Sequence, residues 1–218
     1  MTDRQREHVA QLKQDLIETP ISKHKHKQLS RDLKESEKRG FSTAVKMVFE
    51  RIVNLPRKVH WRILLDLADF AKRESKFEEA KVLFKLITYL QPYAYQGWLE
   101  YAKMEEECGN NESSRRILQI GLKFNALNDN LFVKAIKVEE KGRNFEQVRE
   151  LLSVLKDIPI DRSWRMILEG ALFEGRTGNV DAARLAFRYL LKHCASYGPI
   201  YLEASKYEER EGAIDKAL

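Results

Sequence analysis

Residues 98–118 hold one complete beat of a pattern that runs along the chain. It opens with Trp98-Leu99-Glu100-Tyr101-Ala102-Lys103-Met104-Glu105-Glu106-Glu107-Cys108-Gly109 and closes, after a short polar stretch, with Arg115-Arg116-Ile117-Leu118. A large aromatic opens a helical stretch, acidic residues lead to a glycine, and a basic residue starts a second apolar face. Working outward, Trp61, Phe132, Trp164 and Tyr201 occupy the position of Trp98. The five aromatics are separated by 37, 34, 32 and 37 residues, a mean of 35. A period this long is too great for a heptad or a strand repeat and matches one helix-turn-helix unit of a solenoid.

Other positions keep the same beat. Gly109, Gly142, Gly178 and Gly212 each follow an acidic run, with Gly40 as an earlier copy and Ser75-Lys76 standing where the Trp61 unit lacks a glycine. A glycine just past a helix end adopts the left-handed conformation without steric cost, so these positions predict where each first helix stops. A basic residue follows six or seven positions later and leads an apolar face, as at Lys46, Lys81, Arg116, Arg149 and Arg184. Pro56, Pro92, Pro159 and Pro199 then mark the ends of the second helices, because proline lacks the amide hydrogen and fixes the backbone angle. Apolar residues within the pairs recur at helical spacing, as in Val82, Leu83, Leu86, Ile87 and Leu90, so each pair has a face that only its neighbours bury. Trp61, Trp98, Tyr101, Phe132, Trp164 and Tyr201 are the predicted repeat core. The acidic column Glu105, Glu139, Glu174 and Glu208 is expected to pair with the basic column Arg116, Arg149 and Arg184, helix to helix within each repeat.

The ends read differently. Residues 3–18 carry Val9, Leu12, Leu16 and Ile17 on one helical side, with Pro20 as a stop, so 1–23 is expected to be a capping helix and linker. Residues 22–39 form a more polar helix with Leu29 and Leu33 as anchors. The repeats occupy 24–218, about five pairs. The last stops at Gly212-Ala213-Ile214-Asp215-Lys216-Ala217-Leu218 as its second helix begins, so the chain reads as a piece of a longer solenoid.

The 218 residues are 43% hydrophobic and 33% charged, with 10 Gly and 5 Pro, a composition that suits helices with a sizeable core. The net charge of +6 sits at one end: residues 1–90 carry 20 Lys+Arg against 13 Asp+Glu, and the rest 19 against 20. That surplus permits an RNA contact, for which Lys23, Lys25, Lys27, Arg31, Arg57 and Lys58 are the candidates, with Tyr93, Tyr95 and Tyr197 as aromatics left over for stacking. A solvated helix face explains the same charges. Cys108 and Cys194 form no CxxC, which points to a reducing, intracellular compartment. His24 and His26 lie among Lys23, Lys25 and Lys27, where a metal ion would meet neighbouring positive charge. No phosphate loop, nucleophile elbow or zinc motif is present, so neither catalysis nor a cofactor is expected. No stretch approaches the roughly 20 apolar residues that span a bilayer.

The Trp98 unit resembles a HAT (half-a-TPR) repeat: Trp98, the aromatic Tyr101 three residues on, Glu105, Gly109, then Arg115-Arg116. The Phe132, Trp164 and Tyr201 units are similar, with Ala135, Ile167 and Ala204 in the place of Tyr101, and the Trp61 unit has Ala68 at the spacing of Glu105. Generic TPR repeats remain an alternative. The resemblance implies an all-α fold, a right-handed α-solenoid of antiparallel helix pairs (TPR/HAT-like). It also implies a non-catalytic protein-protein interaction scaffold in splicing, 3′-end formation or ribosomal RNA maturation, nuclear or else cytoplasmic. Proteins are the expected partners; self-association through residues outside this stretch fits the same resemblance. A carboxylate-clamp TPR adaptor is disfavoured because the first helices lack the column of asparagines such a clamp uses. Fold alone does not fix function.

Overall fold

The computed structural model describes residues 27–212, so the expected capping helix over 3–18, Lys23 and Lys25 lie outside the described residues. Eleven segments follow in order: α1 (27–37), α2 (Phe41–Ile52), α3 (Arg57–Arg73), α4 (Phe77–Leu90), α5 (Tyr95–Glu107), α6 (Asn111–Phe124), α7 (Asp129–Lys141), α8 (Phe145–Ser153), α9 (Ile160–Arg176), α10 (Val180–His193) and α11 (Gly198–Arg210). A 3-10 turn, Val154–Asp157, prolongs α8, and the described residues contain no strand. The fold is all-α and built of helix pairs. It divides into two compact units, one ending at Met104 and one beginning at Glu105.

In the first unit, α1 lies beside α3 and runs in the same direction. Ser30 Oγ donates to Asp66 at 2.5 Å and Arg73 reaches Glu37 at 2.7 Å, both across 36 residues. Leu29 and Leu33 are buried, as their spacing predicts. Phe41 packs on Phe70 with ring centroids 5.7 Å apart, and Phe84 stacks on Tyr101 at the same distance. Trp98 is buried, and its Nε1 donates to the Pro92 carbonyl at 2.8 Å, which satisfies the one polar atom of the indole.

In the second unit, Phe132, Ile136, Val148, Leu155, Met166 and Phe173 form one apolar cluster of α7, α8, the 3-10 turn and α9. Ala171, Ala183, Phe187 and Tyr207 join α9, α10 and α11. Leu190, Cys194 and Ile200 close the α10–α11 turn with Trp164 against them. Gly175 lets α11 approach, since a Cβ there would stand 2.5 Å from the Tyr207 ring.

Two local expectations change. Prolines mark the starts of first helices as much as the ends of second ones: Pro56 and Pro159 cap α3 and α9, and Pro199 lies in the first turn of α11, where a missing amide hydrogen costs nothing. The turn after α7 does not use its glycine in the left-handed region. Gly142 keeps a φ of −76°, and Arg143 takes +58°, the place that Gly109, Gly178 and Gly212 hold in the other turns and Ser75 holds after α3.

Candidate protein-interaction surface

Counting from the left-handed residue makes the turn chemistry regular. The residue before it by four is Glu105, Glu139, Glu174 or Glu208, and the residue after it by one is Asn110, Asn144 or Asn179. Each asparagine amide hydrogen bonds back to the carbonyl of its glutamate, at 2.8, 2.9 and 2.8 Å. Each asparagine Nδ2 also donates to the carboxylate of that same glutamate, at 2.9, 2.8 and 3.1 Å. The side chain and backbone of one residue thus hold both ends of the turn.

The carboxylates of Glu139, Glu174 and Glu208 also accept from an arginine 24 or 25 residues earlier. Arg115 Nε lies 3.0 and 2.9 Å from the two Glu139 oxygens, Arg149 reaches Glu174 at 3.0 and 3.1 Å, and Arg184 reaches Glu208 at 2.7 Å. These bonds hold the guanidinium pKa of all three arginines above the usual value, with the hydrogen bond to glutamate as the largest cause. Two expectations are therefore corrected. The arginine of the α6 column is Arg115; Arg116 is 72% exposed and pairs with Glu112 on its own helix. The pairs also join a second helix to the first helix of the following repeat, so they run between repeats and not within them.

A second column joins successive first helices. Glu37 pairs with Arg73, Glu106 with Lys141 at 3.0 Å and with Lys134, and Glu140 with Arg176 at 2.7 Å. The Lys134 hydrogen bond is the main cause that holds Glu106 below the ordinary carboxylate range. Asp69, by contrast, is pushed up, first by burial and then by Glu100. Sequence reasoning missed this column, although its signal was present as opposite charges 35 or 36 residues apart.

The predicted core residues divide by position. Trp98, Tyr101 and Phe132 are buried, while Trp61 and Trp164 are half-buried, each with an arginine guanidinium about 5 Å over its ring, at 5.3 and 5.2 Å. Tyr201 is 47% exposed and is corrected as a core residue. Phe132, its equivalent on α7, is covered by Val148, Leu155 and Met166 from the elements that follow; among the described residues nothing of that kind follows α11, whose buried side chains are Ile200 and Tyr207. Of the basic candidates, Lys27, Arg31, Arg57 and Lys58 are exposed. The 36-residue register puts Lys27 and Arg31 level with positions 63 and 67, roughly 7 to 15 Å along α3 from Arg57 and Lys58, so the four do not share one turn.

Two grooves lie in the second unit, each between consecutive second helices with a first helix as floor. One runs between α6 and α8 over α7, with a volume of about 280 Å³, and is walled on its α8 side by Gln147, Glu150, Leu151 and Val154. The other runs between α8 and α10 over α9, with about 640 Å³. Its walls include Leu152, Leu155 and Lys156 on one side and Ala182, Leu185, Ala186 and Tyr189 on the other, with Ile167, Gly170, Ala171 and Glu174 beneath. Leu185 is 65% and Tyr189 47% exposed. No group of three or more His, Cys, Asp or Glu side chains among the described residues is placed to hold a metal ion, and no described helix is long and apolar enough to cross a membrane.

Comparison with known proteins gives the kinship of this arrangement. The sequence matches the PRP6 TPR-like domain over residues 54–218. It is 46% identical over 204 residues to a TPR-containing protein of Dictyostelium discoideum, covering 94% of this chain and 16% of that protein. The pre-mRNA-splicing factor CLF1 of Kluyveromyces lactis is 31% identical over 84 residues, 36% of this chain and 12% of that protein. The CLF1 of Eremothecium gossypii is 29% identical over 90 residues, 39% and 13%. The chain therefore spans a small part of the length of these relatives. Among solved structures, a tetratricopeptide repeat protein from Parabacteroides merdae superposes with a TM-score of 0.54 at 16% identity, over 89% of this chain and 76% of that one, which supports the fold alone.

Proposed function

The chain belongs to the PRP6 TPR-like domain family, and on that premise we propose that it is a protein-interaction scaffold working in a nuclear pre-mRNA-processing assembly. The observation that carries the reading is the open apolar groove over α9, a surface suited to a macromolecular partner, on a chain whose partial relatives include two splicing factors. Helical repeats suit the task because each adds surface without altering the next, and the ion pairs between repeats hold those surfaces in register. A scaffold of this kind works by binding and orienting, with no group required to react.

Sedimentation of nuclear extract tests this. The full-length protein is expected to travel with large RNA-processing particles and to be found in the nucleus by imaging; a protein that sediments as a free chain from a cytoplasmic location contradicts the reading. A direct RNA contact is a second reading, supported by the exposure of Lys27, Arg31, Arg57 and Lys58 and by Tyr89 and Tyr93, which are 83% and 71% exposed. Its test is titration with single-stranded RNA: Lys27→Glu with Arg31→Glu should weaken binding and lower its salt dependence.

A further inference from the structure

The two grooves of the second unit are built at equivalent positions, so each serves as the control for the other. Shifting by 35 residues carries Gln147, Glu150, Leu151 and Val154 of the α6–α8 groove onto Ala182, Leu185, Ala186 and Tyr189 of the α8–α10 groove, and Ala135 and Glu139 of the floor onto Gly170 and Glu174. Two positions of that wall change character: Gln147 and Glu150 of the first groove become Ala182 and Leu185 in the second, while the apolar Leu151 and Val154 are matched by Ala186 and Tyr189. A solvated glutamate serves the fold at position 150, so the fold does not demand an exposed leucine at 185. Leaving Leu185 and Tyr189 in water forgoes apolar burial that would otherwise stabilise the chain.

We propose that the α8–α10 groove is the docking site for an amphipathic helical segment of a partner protein, with apolar anchors flanked by acidic residues. This rests on the scaffold reading above and names the chemistry of one partner. A helix is the fitting form because both walls and the floor are themselves helices, whose central backbone groups are bonded internally. The groove therefore offers no free strand edge with which an extended peptide would pair, whereas a helix arrives with its own backbone satisfied. Ala171, Ala182 and Ala186 are small and leave room for large anchors between Leu152 and Tyr189, whereas Gly170 is filled by Leu152, whose methyl would stand 2.7 Å from a Cβ there.

The acidic flank follows from the charges of the lining, which are two. Glu174 is already held by Arg149 and Asn179. Lys156 has no ion pair among the described residues, and the 34-residue step that carries Arg115 of α6 onto Arg149 of α8 puts it where the first groove has Leu122. Lys192, one turn beyond Tyr189 on α10, and Asp157, next to Lys156, are exposed near the same end, and neither they nor Asp181 line the groove, which leaves Lys156 as the one cation of the lining. A carboxylate beside the partner's anchors meets Lys156, and a cation there meets repulsion.

The test uses the purified full chain and two labelled helical peptides with leucines at i, i+4 and i+7, one flanked by glutamates and the other by lysines, read by fluorescence anisotropy. The glutamate peptide should bind at least about tenfold more tightly than the lysine peptide. Leu185→Glu, which installs the residue the equivalent wall already tolerates, should abolish that binding with helicity and melting unchanged. Lys156→Glu should reverse the preference between the peptides, and this variant keeps the test decisive if Leu185→Glu perturbs the fold. Equal binding of both peptides, binding indifferent to Leu185→Glu, or displacement of the peptide by single-stranded RNA overturns the assignment. Such a failure leaves the sedimentation result standing, and a protein absent from RNA-processing particles leaves the peptide measurement standing, so the two readings fail separately.

Discussion

Glu139 is where one carboxylate serves two structural ends. It accepts from Arg115 of the preceding helix and from Asn144 of its own turn, and only 5% of its side chain reaches solvent. Replacing it by alanine leaves a guanidinium and an amide without their acceptor. Glu139→Ala is expected to destabilise the chain by about 2–4 kcal/mol, less than the roughly 3–5 for a fully buried pair because Arg115 is partly in water. Arg116→Ala should stay within about 0.5 kcal/mol, as for other surface changes; denaturant titration of both variants decides whether Arg115 or Arg116 belongs to the column. Acid behaviour divides between two carboxyls. Glu106 is held below its ordinary 4.5 in the folded chain, so the stability it contributes is present above that value and is lost as pH falls through the lowered one. Asp69 is raised above its ordinary 3.8, so it costs stability above its raised value, a cost that disappears as pH falls below 3.8. Asp69→Asn should therefore raise the melting temperature at neutral pH and lose its advantage in acid, as thermal melts across that range would show. The glutamate column was legible in the sequence because its spacing repeats. Its true partner was not, since Gly142 sits one residue before the left-handed position and shifts any count that starts from glycine: six residues from Arg143 gives Arg149, and six from Gly109 gives Arg115.

Each helix pair turns on that left-handed residue, and the elements differ in what it costs them. Gly109 and Gly178 adopt it freely, whereas Arg143 bears the strain of a Cβ in the same region. Arg143→Gly is expected to stabilise the α7–α8 pair by up to about 1 kcal/mol, and a Gly109→Ala change to destabilise α5–α6 by a similar amount. Glycines within helices act differently. Gly175 has no room for a methyl group beneath the Tyr207 ring, so Gly175→Ala should cost about 1–3 kcal/mol. It should do so although alanine favours a helix by about 1 kcal/mol over glycine. A rise in stability would show that α9 and α11 are not in close contact. Helix existence and order were readable from the apolar periodicity and the stops. The outward face of the second helices was not: Ile120, Val154 and Tyr189 all lie five residues after the column arginine and all remain exposed, a fact that periodicity alone assigns to the core as readily as to a binding surface.

At the scale of the molecule, the repeat pattern was legible because a solenoid writes its architecture as a period, and a period survives the loss of any single position. The Tyr201 unit shows the limit: its aromatic keeps the beat but is 47% exposed, whereas Phe132 at the same place on α7 is packed on Val148, Leu155 and Met166. Function was legible only as a class, since a surface that binds by shape and charge leaves no fixed spacing to read. The proposed role of the repeat surface, binding proteins of an RNA-processing assembly, is tested by affinity capture of the full-length protein from nuclear extract, with and without ribonuclease and followed by mass spectrometry. Pre-mRNA-processing proteins that remain bound after ribonuclease treatment are the predicted result. Their complete loss on ribonuclease treatment, or the recovery of chaperones and trafficking proteins alone, would contradict it.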